Sequence, residues 1–189
     1  NIVPRADSEG GLGTASKYWA SAYIDAITTT GNITVGGVIT ATTYNGIPFY
    51  SGDTGSIYTH DVSATDSTAT YNTAYGLTAM DAITSGDWNT AVGYGAGGAI
   101  NSGASNTLVG YLTGDALTTG IRNVAIGANA LSAEDAHGYN VAVGYSALAV
   151  QNAGANAYNV AVGYEAGTSV TTGTENTLIG GGAGDALTS

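Results

Sequence analysis

A five-residue unit recurs along the second part of this chain of 189 residues at an almost constant spacing. The unit can be written N-[TV]-[AL]-hydrophobic-G. Its copies are NTAYG (72–76), NTAVG (89–93), NTLVG (106–110), NVAIG (123–127), NVAVG (140–144), NVAVG (159–163) and NTLIG (176–180). Their asparagines are 17, 17, 17, 17, 19 and 17 residues apart, so two residues are inserted within 149–158. An array this regular predicts a repeat architecture, in which identical units stack on one another.

The length of the unit narrows the architecture to a β-solenoid. Counting the Asn as position one, position eight is small, position twelve is apolar except at Glu134 and Gln151, and position fifteen is Gly in five copies and His137 once. Seventeen residues are too few for helical repeats of over about 30 residues or propeller blades of about 40. They suit one coil with two short strands and two turns. Seven such coils, stacked about 4.8 Å apart, would form a block about 34 Å tall.

The repeated strand carries apolar or small residues on both sides. In NVAVG of 140–144, Val141 and Val143 point to one side and Ala142 to the other, because neighbouring residues of a strand alternate. A strand of this kind is expected to be buried on both sides. We expect one side to fill the interior of the coil. The side lined by Ala and Leu would contact other copies of the chain, in a homotrimer.

Composition and charge exclude several classes of function. Only 9% of the residues are charged, and the net charge is −11. Nucleic acids and anionic membrane surfaces bind clustered Lys and Arg, and this chain has three such residues in all. No apolar run is long enough to cross a bilayer. We therefore expect no nucleic-acid partner and no membrane insertion. The absence of cysteine excludes disulfides and thiolate metal sites.

The NVAIG and NVAVG units resemble the head repeats of trimeric autotransporter adhesins, whose core is Asn/Ser-Val-Ala-Ile-Gly. The resemblance covers about 72–189. It implies an all-β fold, a trimeric parallel β-solenoid of the left-handed β-roll type. The same repeat class occurs in phage tail fibres, often ahead of a C-terminal self-cleaving chaperone domain.

The N-terminal part favours a phage fibre. Residues 11–50, GLGTASKYWASAYIDAITTTGNITVGGVITATTYNGIPFY, resemble stalk and linker segments of phage tail fibres. We expect an extended β-stalk over 1–60, a connector over 61–71 and the head of 17-residue repeats over 72–189. Because the sequence starts at Asn1 without Met and stops within the repeat pattern, we expect the array to continue in a longer protein.

Two repeat positions are candidate functional or structural ladders. The asparagines at position one are expected to form a buried structural ladder in which their side chains hydrogen-bond one another. These are Asn72, Asn89, Asn106, Asn123, Asn140, Asn159 and Asn176. Position six carries a partial aromatic stripe, which either stacks against neighbouring coils and subunits or offers a saccharide-binding surface. Its members are Tyr94, Tyr111, Tyr145 and Tyr164.

The remaining motifs do not support catalysis or cofactor binding. GYGAGG (93–98) matches the dinucleotide pattern G-x-G-x-x-G, but no helix is expected after it. GGAGD (181–185) resembles a calcium nonapeptide with its Asp one residue early, and the match is not repeated. Neither His60 nor His137 shows a second ligand at metal spacing. With one lysine and no cysteine, nucleophilic catalysis has few candidates. We expect no enzyme activity, no metal and no cofactor.

These observations predict a structural and adhesive segment of a phage tail fibre. It would be extracellular on the virion, assembled as a homotrimer with other tail proteins, and would contact a host surface glycan or protein. The first alternative is the head of a bacterial trimeric autotransporter adhesin on the cell surface. The second is an ice-binding solenoid, suggested by Thr pairs such as Thr118-Thr119. Adjacent residues face opposite sides, however, and Asp135-Ala136 interrupts the row.

Overall fold

The computed structural model describes residues 43–44, 47–48, 56–59 and 68–189. Within these ranges the regular secondary structure is β-strand alone, and no helix capable of crossing a membrane is present. The strands are β1 (Thr43–Tyr44), β2 (Ile47–Pro48), β3 (Ile57–Tyr58), β4 (Thr73–Tyr75), β5 (Thr90–Val92), β6 (Thr107–Val109), β7 (Val124–Ile126), β8 (Val141–Val143), β9 (Val160–Val162) and β10 (Thr177–Ile179). Most of the expected stalk over 1–60 and connector over 61–71 lies outside the described residues.

Strands β3 to β10 form one parallel sheet in sequence order. Equivalent repeat positions pair across it: Val124, Ala125 and Ile126 lie opposite Val141, Ala142 and Val143. The same register holds from β4 to β10. Strands β1 and β2 form a separate antiparallel pair. The prediction of an all-β parallel solenoid with about seven coils of 17 residues is therefore confirmed.

Each coil contains one strand, and the expectation of two strands per coil is wrong. On the side opposite the sheet, positions seven and nine have positive φ, as at Asn129 (56°) and Leu131 (53°). Such angles turn the backbone and are incompatible with an extended strand. The coils are nevertheless joined there. The Ser146 N–H donates to Ala128 O at 2.9 Å, and the Leu131 N–H donates to Ala147 O at 3.0 Å.

The Ala and Leu side of each strand faces the interior, which reverses our expectation for the two sides. Ala142 is fully buried, whereas Val141 and Val143 are only partly buried. The interior is completed by small residues at position eight and apolar residues at position twelve, such as Ala147 and Ile100. A coil of 17 residues encloses a narrow space that small residues and Leu fill. The β-branched residues are left on the outside of the sheet.

Leucines and glycines complement each other inside the solenoid. A Cβ at Gly97 or Gly114 (position nine) would lie 2.6 or 2.9 Å from the Leu108 methyl groups. In the coil of Ala125, position nine is instead Leu131, which is fully buried. The interior volume of a coil is thus supplied either from the strand or from the opposite turn.

The sheet begins one coil before the first N-[TV]-[AL] unit. β3 pairs with β4, so that Ile57 lies opposite Thr73 and Tyr58 opposite Ala74. Ser56 takes the place of the asparagine, and its Oγ accepts a hydrogen bond from the Asn72 N–H at 3.0 Å. Ser56 precedes Asn72 by 16 residues, close to the repeat period, and this spacing is the signal by which the sequence could have shown the extra strand.

Candidate functional site

The asparagines at position one lie one above another, and their hydrogen bonds run along the solenoid. The Oδ1 of each accepts the backbone N–H of the next, as from Asn106 to Asn89 (3.0 Å) and from Asn123 to Asn106 (2.9 Å). The Nδ2 usually donates to the carbonyl at position fifteen of its own coil, as from Asn106 to Gly120 (2.8 Å). Direct bonds between side chains occur only from Asn106 to Asn89 and from Asn176 to Asn159 among the described residues.

Asn140 departs from this pattern because of the two-residue insertion. Its Oδ1 still accepts the Asn159 N–H at 3.2 Å, but its Nδ2 is buried without a hydrogen-bond partner. The coil that follows it has 19 residues instead of 17, so the carbonyl that would meet the Nδ2 is displaced. The insertion therefore weakens the ladder at a defined place.

The outward side of the sheet is a broad apolar surface. We define the outer sheet face as positions two, four and six of the coils, the residue before each position-one asparagine, and Ile57. Thirteen of the fourteen exposed large hydrophobic side chains in the described residues lie on it, and Val150 is the exception. Ile179, Leu77 and Ile126 are 70%, 66% and 39% exposed. A monomeric soluble protein rarely exposes so continuous an apolar surface.

The four tyrosines at position six lie along one edge of this face. They form two stacked pairs: the ring centroids of Tyr94 and Tyr111 are 5.6 Å apart, and those of Tyr145 and Tyr164 are 5.4 Å apart. Each remains about half exposed. A hydrogen bond and the charge of Glu165 raise the pKa of Tyr164, with smaller effects from desolvation and Tyr145. The side chains therefore stack on neighbouring coils and still present ring surface to solvent.

A second aromatic column lies along the opposite edge and was missed in the sequence. It consists of the residue before each asparagine: Tyr71, Trp88, Ser105, Arg122, Tyr139, Tyr158 and Glu175. Tyr71 stacks on Trp88 and Tyr139 on Tyr158, while the Arg122 guanidinium lies 5.4 Å from the Tyr139 ring centroid. All seven residues have φ between 53° and 66°. Because their residue types vary, only their fixed place before each asparagine could have revealed them.

Other sequence candidates lie apart from the outer sheet face. Asp81 and Asp185 at position ten are exposed, whereas Asp115 is partly buried. Desolvation raises the pKa of Asp115, and a backbone hydrogen bond opposes this more weakly. The hydroxyls of Thr118 and Thr171 donate to carbonyls of the next coil (2.9 and 2.8 Å), which does not favour an ice-binding Thr row.

His137 does have possible metal ligands beside it, contrary to our interpretation of the sequence. Ligand atoms of Glu134, Asp135 and His137 lie within 4.8 Å of one another. The Glu134 Oε1 is 3.3 Å from the His137 Nδ1. The i, i+3 spacing from Glu134 to His137 was the available signal. His60 lies outside the described residues.

No protein-family model, curated protein or solved structure matches the chain.

Proposed function

We propose that this chain is a structural and adhesive segment of a homotrimeric fibre, namely a phage tail fibre that extends to the host surface. The observation that carries the proposal is the outer sheet face on a repeat-built solenoid. An apolar face of this size is expected to be covered, and a second and third copy of the chain supply a matching surface.

The dimensions and charge of the face support self-association. Seven coils are about 34 Å tall, and the six-residue span from the residue before the asparagine to position six is about 20 Å wide. The resulting area of roughly 700 Å² is close to the roughly 800 Å² per partner of a stable interface. The charged residues at its edge, Arg122 and Glu175, are of opposite sign, although the whole chain has a net charge of −11.

The oligomeric state tests this proposal. Light scattering on the protein with its natural flanking sequence should give three times the mass of one chain. Ile126→Glu should reduce the mass to that of a monomer, because it introduces one buried charge per copy into an apolar contact. The control is Val150→Glu, since Val150 is 45% exposed and lies off the face. A monomeric wild type, or a trimer that tolerates Ile126→Glu as well as Val150→Glu, would contradict the proposal.

We further propose that the tyrosines at position six contact host glycans, with three copies increasing avidity. Stacked, half-exposed rings suit the apolar faces of sugar residues. The fibre should bind a subset of a host-derived glycan array, and Tyr145→Ser with Tyr164→Ser should reduce the signal at least about tenfold. Retention of full binding in a trimeric double variant would exclude this stripe as the contact surface. Binding without trimerisation would instead count against the fibre architecture alone.

A further inference from the structure

One cluster near the middle of the solenoid differs from the rest of its interior. Glu134 occupies position twelve, where the two preceding coils have Ile100 and Leu117, and it is fully buried. Gln151 occupies the same position of the next coil and is also fully buried. The Glu134 Oε2 and both amide heteroatoms of Gln151 have no hydrogen-bond partner. Burial of polar atoms without a partner is unfavourable, and most of all for a carboxylate.

His137 brings a nitrogen ligand to the same place. Its Nδ1 has no hydrogen-bond partner and lies 3.3 Å from the Glu134 Oε1. Two ligand atoms about 2.1 Å from one tetrahedral zinc ion are about 3.4 Å apart. The separation of these two atoms therefore already suits a shared cation. Asp135 adds an exposed carboxylate within 4.8 Å of both.

The insertion in the following coil explains why a histidine fits here. Position fifteen is elsewhere Gly because the coils approach closely; a Cβ at Gly103 would lie 2.6 Å from Gly120 O. The coil after His137 is the 19-residue coil, which changes the backbone that His137 meets. The Cβ that the next coil would otherwise exclude is therefore tolerated at this seam.

The hydrogen bonds between coils are also different at this seam. In an ordinary coil, the N–H groups of positions thirteen to fifteen donate to one carbonyl of the next coil, as those of 101–103 do to Thr118 O. At this seam the His137 N–H donates to the Glu134 Oε1 at 3.0 Å, and the Gly138 N–H donates to the Asn156 Oδ1 at 3.1 Å. Side chains thus replace part of the backbone ladder and gather at one place.

We propose that Glu134, Asp135 and His137 bind a divalent transition-metal cation of the zinc type, with the Gln151 Oε1 as a possible fourth ligand. Imidazole together with carboxylate oxygens suits Zn²⁺. Ca²⁺ and Mg²⁺ prefer six or more oxygen ligands, and the histidine disfavours them. A bound cation would neutralise the buried carboxylate and join the two coils where their backbone ladder is interrupted. This site does not depend on the proposed adhesive function.

Titration calorimetry of the chelator-treated protein with Zn²⁺ tests the site. We expect one Zn²⁺ per chain and no comparable binding of Ca²⁺. His137→Gly restores the residue that most coils have at position fifteen, so this variant is expected to fold, and it should weaken Zn²⁺ binding at least about 100-fold. Glu134→Gln should also weaken binding while preserving side-chain size. The matched controls, His60→Gly and Asp185→Asn, should bind Zn²⁺ like the wild type.

Two further measurements distinguish a built site from surface binding. Co²⁺ should give the visible absorption of a tetrahedral complex in the wild type and not in His137→Gly. Zn²⁺ should raise the unfolding midpoint of the wild type and leave that of His137→Gly unchanged. No Zn²⁺ binding by the wild type, or equal binding by a folded His137→Gly protein, would overturn the proposal.

Discussion

At the scale of single residues, the position-one asparagine satisfies backbone groups on two sides of the strand. The Asn106 side chain accepts the Asn123 N–H and donates to Gly120 O and to the Asn89 Oδ1. A carboxylate could accept but not donate, and a hydroxyl could not make both donor bonds. Position one thus requires a short side chain with both an acceptor and two donors, which is why Asn recurs in all seven copies.

We predict that Asn106→Ala destabilises the protein more than Asn140→Ala. The first substitution leaves the buried Asn123 N–H and Gly120 O without these partners and should reduce the free energy of unfolding by about 2–4 kcal/mol. Asn140 has an unpaired Nδ2, so its loss removes chiefly the bond from the Asn159 N–H and should cost about 1–2 kcal/mol. Urea denaturation of both variants gives the comparison. Equal losses would show that the Nδ2 bonds contribute nothing.

A second residue-scale prediction concerns glycine at position five. Gly127 has φ of 130°, and an added Cβ would lie 2.4 Å from Gly144 O. Backbone atoms cannot give way as a side chain can, so Gly127→Ala should cost more than about 3 kcal/mol. Gly154 is the matched control: its φ is 68° and an added Cβ would meet no atom within 4 Å. Gly154→Ala should cost only about 1–2 kcal/mol, from the left-handed conformation. Thermal unfolding of the pair would contradict this argument if the two midpoints fell equally.

At the scale of the coil, the sequence could predict the strand but not its orientation. The alternation in NVAVG predicts two apolar sides, and both sides pass as interior. The narrow interior decides: Ala142 fits inside, and Val141 and Val143 do not. The second strand was predicted from apolar residues at position twelve, yet residue type does not reveal the positive φ values at positions seven and nine.

The candidate sites were predictable to different degrees for similar reasons. The asparagines and the position-six tyrosines recur as residue types, and their repeat positions identify them. The column before each asparagine is defined by backbone position and changes from Tyr71 to Arg122 to Glu175. The cluster at His137 depends on a departure from the repeat beside an insertion. Its local geometry is set by the interrupted ladder and is not visible in the spacing alone.

The exchange of volume between positions three and nine predicts a rescue. Leu108→Ala should cost about 2–5 kcal/mol, because it leaves a cavity beside Gly97 and Gly114. Adding Gly114→Leu should recover part of this loss, since Gly114 has φ of 54° and Leu131 occupies the equivalent place at 53°. A double-mutant cycle measures the coupling free energy. Gly114→Leu alone should destabilise the protein, because its side chain would meet the Leu108 methyl groups. Additive effects would refute the complementarity.

At the scale of the whole molecule, the solenoid is a one-dimensional stack in which each coil pairs with its two neighbours. The stack continues only if the next coil presents the same groups in the same register: asparagine over asparagine, position three over position three. The two inserted residues are tolerated because they leave the following strand in register, with Val141 opposite Val160. Length within the turn is thus variable, whereas the phase of the strand is not.

We therefore predict that deletion of one complete coil, residues 123–139, preserves the fold. It joins Arg122 to Asn140, so the asparagine ladder and the parity of the strand are retained, and Leu108 and Leu148 still fill the interior on either side. Circular dichroism should remain that of a β-protein, and the unfolding midpoint should change by only a few degrees, because the deletion also removes the unpartnered Glu134 Oε2. Deletion of 123–138 removes one residue fewer and puts Tyr139 in the place of an asparagine. Every later strand then exchanges its inner and outer residues, placing Val141 inside and Ala142 outside. This second variant should fail to fold beyond the junction. If it unfolded at the same temperature as the first, the phase of the repeat would not be what holds the stack together.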